Sequence, residues 1–247
     1  MKSTITITFS ESVENHKGMQ IIGKKAEKGY SDKNIREYYY KFQKLGYTVE
    51  YYDLDRMLKV EVENKEIDKA SFIIIRNFLN EKKENLYNEL TSLKWDSKAF
   101  MYGRVVNKKA RHNLCFADFD QESDFENKKG TIINFEKLEH LSEVRNNLQE
   151  ILNDKLYAEG NLYYDITKCY IGYRGDTERS KVVALRLGED FPLYFRWYQN
   201  SEPISSPMKF NIHSGDVYIM SDLATGNNWK KKLIPTLRHA AGFEKNL

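Results

Sequence analysis

From Trp95 onward the chain breaks into short apolar or alternating runs separated by turns, and this spacing constrains the fold more than any other feature of its 247 residues. Residues 99–106, 113–119, 161–164, 182–187, 193–197, 209–212 and 217–220 each have the length and the apolar, β-branched or aromatic content of a strand. One helix stands among them: Leu138, Leu141, Val144, Leu148 and Leu152 recur at three-to-four spacing over 135–153. A polar loop over 120–130 precedes it. One helix with many short strands points to a barrel-like or jelly-roll core. Such a core hosts many chemistries, so the pattern alone assigns none.

The first third reads differently. Residues 5–9 alternate as a short strand, and 12–29 have room for a short helix punctuated by Gly18, Gly23 and Gly29. Ser31 is placed to cap a helix over 32–45, which sets Ile35, Tyr38, Tyr39 and Phe42 on one face and stops at Gly46. Residues 48–54 are strand-like. Residues 70–77 read as a buried strand or the core of a helix, and 81–93 as an amphipathic helix through Leu86, Leu90 and Leu93. These elements predict a small α/β module over residues 1–92, with a core around Ile35, Tyr39, Phe42, Ile73 and Ile75. A β-rich domain over 93–247 follows, and the expected fold class is α+β.

Charged residues make up 30% of the chain and no run approaches the roughly 20 apolar residues of a membrane helix, so no membrane partner is expected. The first six residues lack the apolar core of a signal peptide. Cys115 and Cys169 lie far apart without metal-ligand spacing and read as small buried hydrophobes. A net charge of +3 tolerates a nucleic-acid partner without arguing for one. Lys108-Lys109-Ala110-Arg111-His112 and Lys230-Lys231-Lys232, with Phe116 and Trp229 nearby, suit either a phosphate backbone or a solvated face.

The densest chemistry lies in Tyr173-Arg174-Gly175-Asp176-Thr177-Glu178-Arg179. A 2-His-1-carboxylate iron site combines a His, a carboxylate two residues later and a distant second His. Asp176 supplies the carboxylate and His239 a late His. The residue two before Asp176 is Arg174, a permanent cation with no lone pair for a metal.

Residues 98–106, 111–118, 160–165, 175–179, 213–221 and 236–242 resemble the AlkB-like Fe(II)/2-oxoglutarate dioxygenases, in a form common in giant and algal DNA viruses. The stretch Glu14-Asn15-His16-Lys17-Gly18-Met19-Gln20-Ile21-Ile22-Gly23 resembles the module that precedes such domains. The resemblance implies a double-stranded β-helix over 93–247, with Fe(II) and 2-oxoglutarate as cofactors. Asp176 and His239 would be the metal ligands, with Arg174 beside them in the catalytic centre. Asn161 and Tyr163, an Asn-x-Tyr pattern, and Arg238 would contact 2-oxoglutarate, and Glu178, Arg111 and His112 the substrate. The implied reaction is hydroxylation of a modified nucleobase or related substrate, in the cytoplasm of an infected cell or in the virion. Relatives read His-Gly-Asp where this chain reads Arg174-Gly175-Asp176. That departure opens a second reading, a catalytically degenerate dioxygenase fold serving as a nucleic-acid-binding or structural viral module. Arg238 also adjoins His239, and strand neighbours point to opposite faces, so the two are not expected to line one pocket.

Overall fold

Alternation along β1 (Thr4–Ser10) sends Ile5, Ile7 and Phe9 to one face of a sheet and Thr4, Thr6 and Thr8 to the other. This strand opens a computed structural model that describes residues 2–57 and 69–243. After it come a hairpin of β2 (Ser12–Glu14) and β3 (Ile21–Gly23), helix α1 (Asp32–Lys44), strands β4 (Val49–Asp53) and β5 (Ser71–Ile75), and helix α2 (Lys83–Thr91). A second hairpin, β6 (Lys98–Met101) and β7 (Arg104–Asn107), leads to β8 (His112–Ala117), β9 (Ile132–Asn134) and helix α3 (Glu139–Leu152). The chain then runs through β10 (Tyr157–Tyr163), β11 (Ile171–Arg174), β12 (Val182–Gly188), β13 (Leu193–Gln199), β14 (Glu202–Pro203), β15 (Met208–Phe210) and β16 (Val217–Met220). A short helix α4 (Asp222–Thr225) and β17 (Thr236–Ala241) complete the elements.

Local chemistry accounts for several of these ends. The Ser31 hydroxyl accepts the Asn34 amide at the start of α1, while the Asn34 side chain accepts the Ser31 amide, a reciprocal capping box. Helix α3 stops at Asn153, which takes the left-handed conformation at φ +55°. The short helix expected within 12–29 is instead the β2–β3 hairpin, with Val13 paired to Ile22. The reason is local. Gly18 and Gly23 sit at φ +86° and +85°, which a helix excludes. A side chain at Gly23 would also lie 2.3 Å from the Glu11 carbonyl.

Eight strands form one sheet in the order β4-β5-β16-β12-β1-β10-β8-β9, and a smaller sheet runs β11-β17-β13-β14 with β15 paired to β13. The fold is therefore mixed α+β, mostly strand. Helices α1, α2 and α3 cover one face of the large sheet, where Ile5, Ile7, Leu185 and Ile219 meet Ile35, Phe42, Leu90, Leu141 and Leu148. The other face meets the small sheet through Phe72, Ala184 and Met220 against Phe195, Trp197 and Leu237. Among the described residues no helix is long and apolar enough to cross a membrane.

The division expected near residue 92 is not respected by this sheet. β1 lies between β10 and β12, and β5 pairs with β16. Ile35, Phe42, Ile73 and Ile75 share one core with Leu114, Leu141 and Leu185, so residues 1–92 have no separate core around those side chains. Periodicity assigns each strand a buried face but carries no record of its partner, which is why the interleaving was not visible in sequence.

Candidate functional site

The inner face of the large sheet carries an unusual row. Register places Asn113 of β8 opposite Asn161 of β10, Asn161 opposite Thr6 of β1, and Thr6 opposite Arg186 of β12. All four are buried polar residues, an arrangement uncommon in a protein interior. A cavity of about 70 Å³ lies over this row. The large sheet contributes Thr6, Glu159, Asn161, Tyr163 and Arg186 to its wall, and the opposite wall carries Arg174, Asp176, Glu178, Arg179 and His239.

Asp176 reaches the cavity because the turn before it is compressed. A side chain at Gly175 would lie 2.0 Å from the Gly226 carbonyl, and Gly226 itself closes α4 at φ +75°. The Asp176 amide donates to the Thr225 carbonyl at 3.0 Å, fixing the loop to that helix. β11 pairs with β17 so that Arg174 stands opposite His239. Asp176 and His239, remote in sequence, thus converge, with His239 Nε2 3.6 Å from Asp176 Oδ1. Arg174 Nη2 is 3.8 Å from the same oxygen and 4.0 Å from Glu178 Oε1. Arg179 Nε is 3.6 Å from Asp176 Oδ2, and its guanidinium also pairs with Glu178 at 2.9 Å and with Glu159. Burial would raise the Asp176 pKa, but Arg179, His239 and Arg174 outweigh it and hold the carboxyl well below the usual range.

Arg186 decides what the cavity can bind. Its side chain is fully buried, and Nη1 donates to Thr6 Oγ1 at 2.7 Å. Among the described residues Nε and Nη2 are buried without a partner. Among the described residues no carboxylate pairs with it, and its guanidinium lies 5.2 Å from the centre of the Phe191 ring. The cavity wall holds four arginines against three carboxylates. A permanent buried cation with two free donors is costly unless an anion completes it. Burial pushes the Tyr163 hydroxyl up to about 12, a rise opposed by Arg111 and Arg186 on either hand, so Tyr163 faces the cavity as a neutral group.

The residues expected from sequence divide clearly. Arg174, Asp176, Glu178, His239, Asn161, Tyr163 and Arg111 all line the cavity. Arg238 does not: it takes the opposite face of β17, with its guanidinium 4.1 Å from the Tyr198 ring centre and 5.2 Å from that of Trp229. His112 packs on Tyr164 at 4.6 Å between ring centres and is also outside the wall. Asn161 spends its amide on protein partners, accepting from Arg111 and Asn113 and donating to Glu159. Arg186, Thr6, Glu159 and Arg179 were not singled out. The signal for Arg186 was present, as a charged residue inside the apolar run Val182-Val183-Ala184-Leu185-Arg186-Leu187.

No family model matches the chain. Over 248 residues, 99% of this chain and 98% of the relative, it is 44% identical to an uncharacterized protein of Acanthamoeba polyphaga mimivirus. The chain belongs to that protein's family. The alignment spans both β1, which carries Thr6, and β17, which carries His239, so the family is defined over the whole interleaved sheet rather than one half of it.

Proposed function

We propose that this protein is a dioxygenase-like carboxylate-binding protein that holds 2-oxoglutarate, or a dicarboxylate of similar size, on Arg186, with Arg174 where the iron chemistry of such folds would sit. The two facing sheets belong to the same proposal, as the halves of a double-stranded β-helix. The observation that carries it is the fully buried Arg186 with Nε and Nη2 unpartnered in a cavity wall. Those two donors match the fork geometry that a guanidinium offers a carboxylate. Tyr163 would stand beside the bound ligand, and Thr6 would keep the guanidinium oriented.

The donor set does not fit Fe(II). Asp176 and His239 supply a carboxylate and an imidazole, but the third position is the Arg174 guanidinium, which has no lone pair and repels a divalent cation. No redox step is therefore assigned, and the protein would act by binding, in the cytoplasm of an infected cell or in the virion. The convergence of Asp176 and His239 favours the other reading, an oxygenase acting on a modified nucleobase. Anaerobic calorimetry with 2-oxoglutarate, with and without Fe(II) or Mn(II), separates the two. The proposal expects binding that is independent of metal and lost in Arg186→Met. In a separate aerobic assay with Fe(II), conversion of 2-oxoglutarate and O2 to succinate and CO2 would establish the oxygenase instead.

A further inference from the structure

The basic loop before β17 is used by neither reading, and it is open to solvent along its length. Lys230, Lys231, Lys232, Leu233 and Ile234 are all exposed, Leu233 to 93% and Ile234 to 41%. A single exposed leucine is ordinary. Here two apolar side chains follow three lysines on a stretch whose backbone is held at both ends. The Trp229 amide donates to the Gly226 carbonyl at 3.0 Å, and the Lys231 amide to that of Asn228 at 2.8 Å. Arg238 of β17 stacks on Tyr198 and Trp229, and its Nη2 donates to the Trp229 carbonyl at 3.5 Å. At the other end the Asn200 amide donates to the Lys232 carbonyl at 2.9 Å, and the Gln199 side chain to that of Leu233 at 3.5 Å. The loop is braced against the small sheet while its five side chains stay in solvent.

The fold brings a second basic stretch to this loop. Lys25 Nζ donates to the Asn227 side chain and, at 2.8 Å, to the Thr177 carbonyl, which joins the segment Lys24-Lys25-Ala26-Glu27-Lys28 to it. Lys24, Lys25 and Lys28 are exposed as well. Among the described residues none of these six lysines forms an ion pair. Besides the two Lys25 bonds, Lys230 Nζ stands 5.8 Å from the centre of the Trp229 ring. Glu27 is the one acid within the two stretches, and Glu202 of the adjoining β14 is exposed too. Asp222, at the base of the loop, accepts from the Asn227 amide. The face keeps a positive excess.

We propose that this face docks on the surface of an anionic lipid bilayer, with the lysines over the headgroups and Leu233 and Ile234 inserted among the upper acyl chains. Charge and apolarity together select this partner. Lysines match anionic headgroups, and a bilayer offers beneath them an apolar layer that a nucleic-acid backbone lacks. The expectation of no membrane partner concerned a spanning helix, and a loop lying on the surface needs none. Docking would also bring the turn that carries Asp176 toward the bilayer, since a Cβ on Gly175 would lie 2.0 Å from the Gly226 carbonyl and 2.8 Å from Trp229 Cδ1. The face stands on its own residues and does not require that Arg186 bind a carboxylate.

Co-sedimentation of the full chain with phosphatidylcholine vesicles, with and without phosphatidylserine, tests it. Binding is expected only with phosphatidylserine, and it should weaken as salt rises. Each lysine near an anionic surface contributes roughly a fivefold gain, so combining Lys230→Gln, Lys231→Gln and Lys232→Gln should cost about 100-fold. Leu233→Ser should cost about tenfold. Leu233→Trp should show a blue shift of emission on vesicle addition that exceeds any shift of the wild type. The affinity for 2-oxoglutarate should be the same in wild type and variants, which keeps this face distinct from the Arg186 anchor. Thermal melting checks that each variant folds; if the triple lysine variant does not, Lys24→Gln with Lys28→Gln reports on the same face. Failure of the wild type to sediment with phosphatidylserine vesicles overturns the proposal, as does wild-type binding by the folded lysine variant or by folded Leu233→Ser. Binding of a single-stranded oligonucleotide that the lysine variant loses, without binding of vesicles, overturns it too and assigns the lysines to a nucleic-acid backbone.

Discussion

Replacing Arg186 with methionine should make the protein more stable and blind to its ligand. The substitution removes a fully buried charge whose Nε and Nη2 have no partner, and leaves an unbranched side chain that still packs on Phe191. Exchanging buried ionic groups for apolar ones of similar volume is often neutral or stabilising by about 1–4 kcal/mol. The loss of the Arg186–Thr6 bond offsets this by about 1 kcal/mol. The net expectation is a gain of about 0–3 kcal/mol, which at roughly 2–4 °C per kcal/mol raises the melting temperature by up to about 12 °C. Binding should move the other way. Two hydrogen bonds from a charged donor are each worth about 1.5–3 kcal/mol, so losing both should weaken 2-oxoglutarate by at least about 100-fold. Urea and thermal unfolding, with and without 2-oxoglutarate, read both effects, because a ligand that binds only the native state raises stability by mass action. The wild type should gain stability on ligand addition and the variant should not. A variant that is less stable than the wild type, yet still stabilised by 2-oxoglutarate, would show Arg186 to be a structural residue and refute the reasoning.

Three further outcomes are expected. Arg174→His should raise Mn(II) affinity at least tenfold by calorimetry, since it supplies a third donor next to Asp176 and His239; no gain would mean that these two side chains do not share a metal position. Gly175→Ala should cost about 1–3 kcal/mol in urea unfolding, because its Cβ would fall 2.0 Å from the Gly226 carbonyl, and a wild-type midpoint would show that the turn relaxes freely. For Glu14, burial lifts the folded-state pKa from 4.5 to about 7, so its contribution is fully present below about 4.5 and is lost as pH rises toward 7. Glu14→Gln should therefore flatten the fall in stability across that window, and an unchanged pH slope would remove Glu14 from the account.

Much of the framework was legible in the chain. The three-to-four spacing of Ile35, Tyr38, Tyr39 and Phe42 gave α1 its buried face, and Leu141, Val144, Leu148 and Leu152 did the same for α3. β16 spans the residues its composition indicated. The density of charge in 173–179 was legible as well, and Arg174, Asp176, Glu178 and Arg179 all line one cavity. The opposed faces of Arg238 and His239 followed from strand alternation alone. The helix expected within 12–29 was wrong because three-residue strands are too short to show a period, leaving only its glycines as a signal.

The sequence by itself determined which residues alternate inward, and so that Thr6, Asn161 and Arg186 share one face of their strands. Only the tertiary structure decided that these faces are neighbours, with β1 inserted between β10 and β12 and the Glu14–Gly23 hairpin tied through Asn15 to Lys108. Alternation is a local consequence of backbone geometry, whereas pairing depends on contacts between residues far apart in the chain. The free donors of Arg186 belong to the second kind of information. A buried charge is paired or unpaired according to what remote strands bring to it, and among the described residues they bring a hydroxyl and no carboxylate.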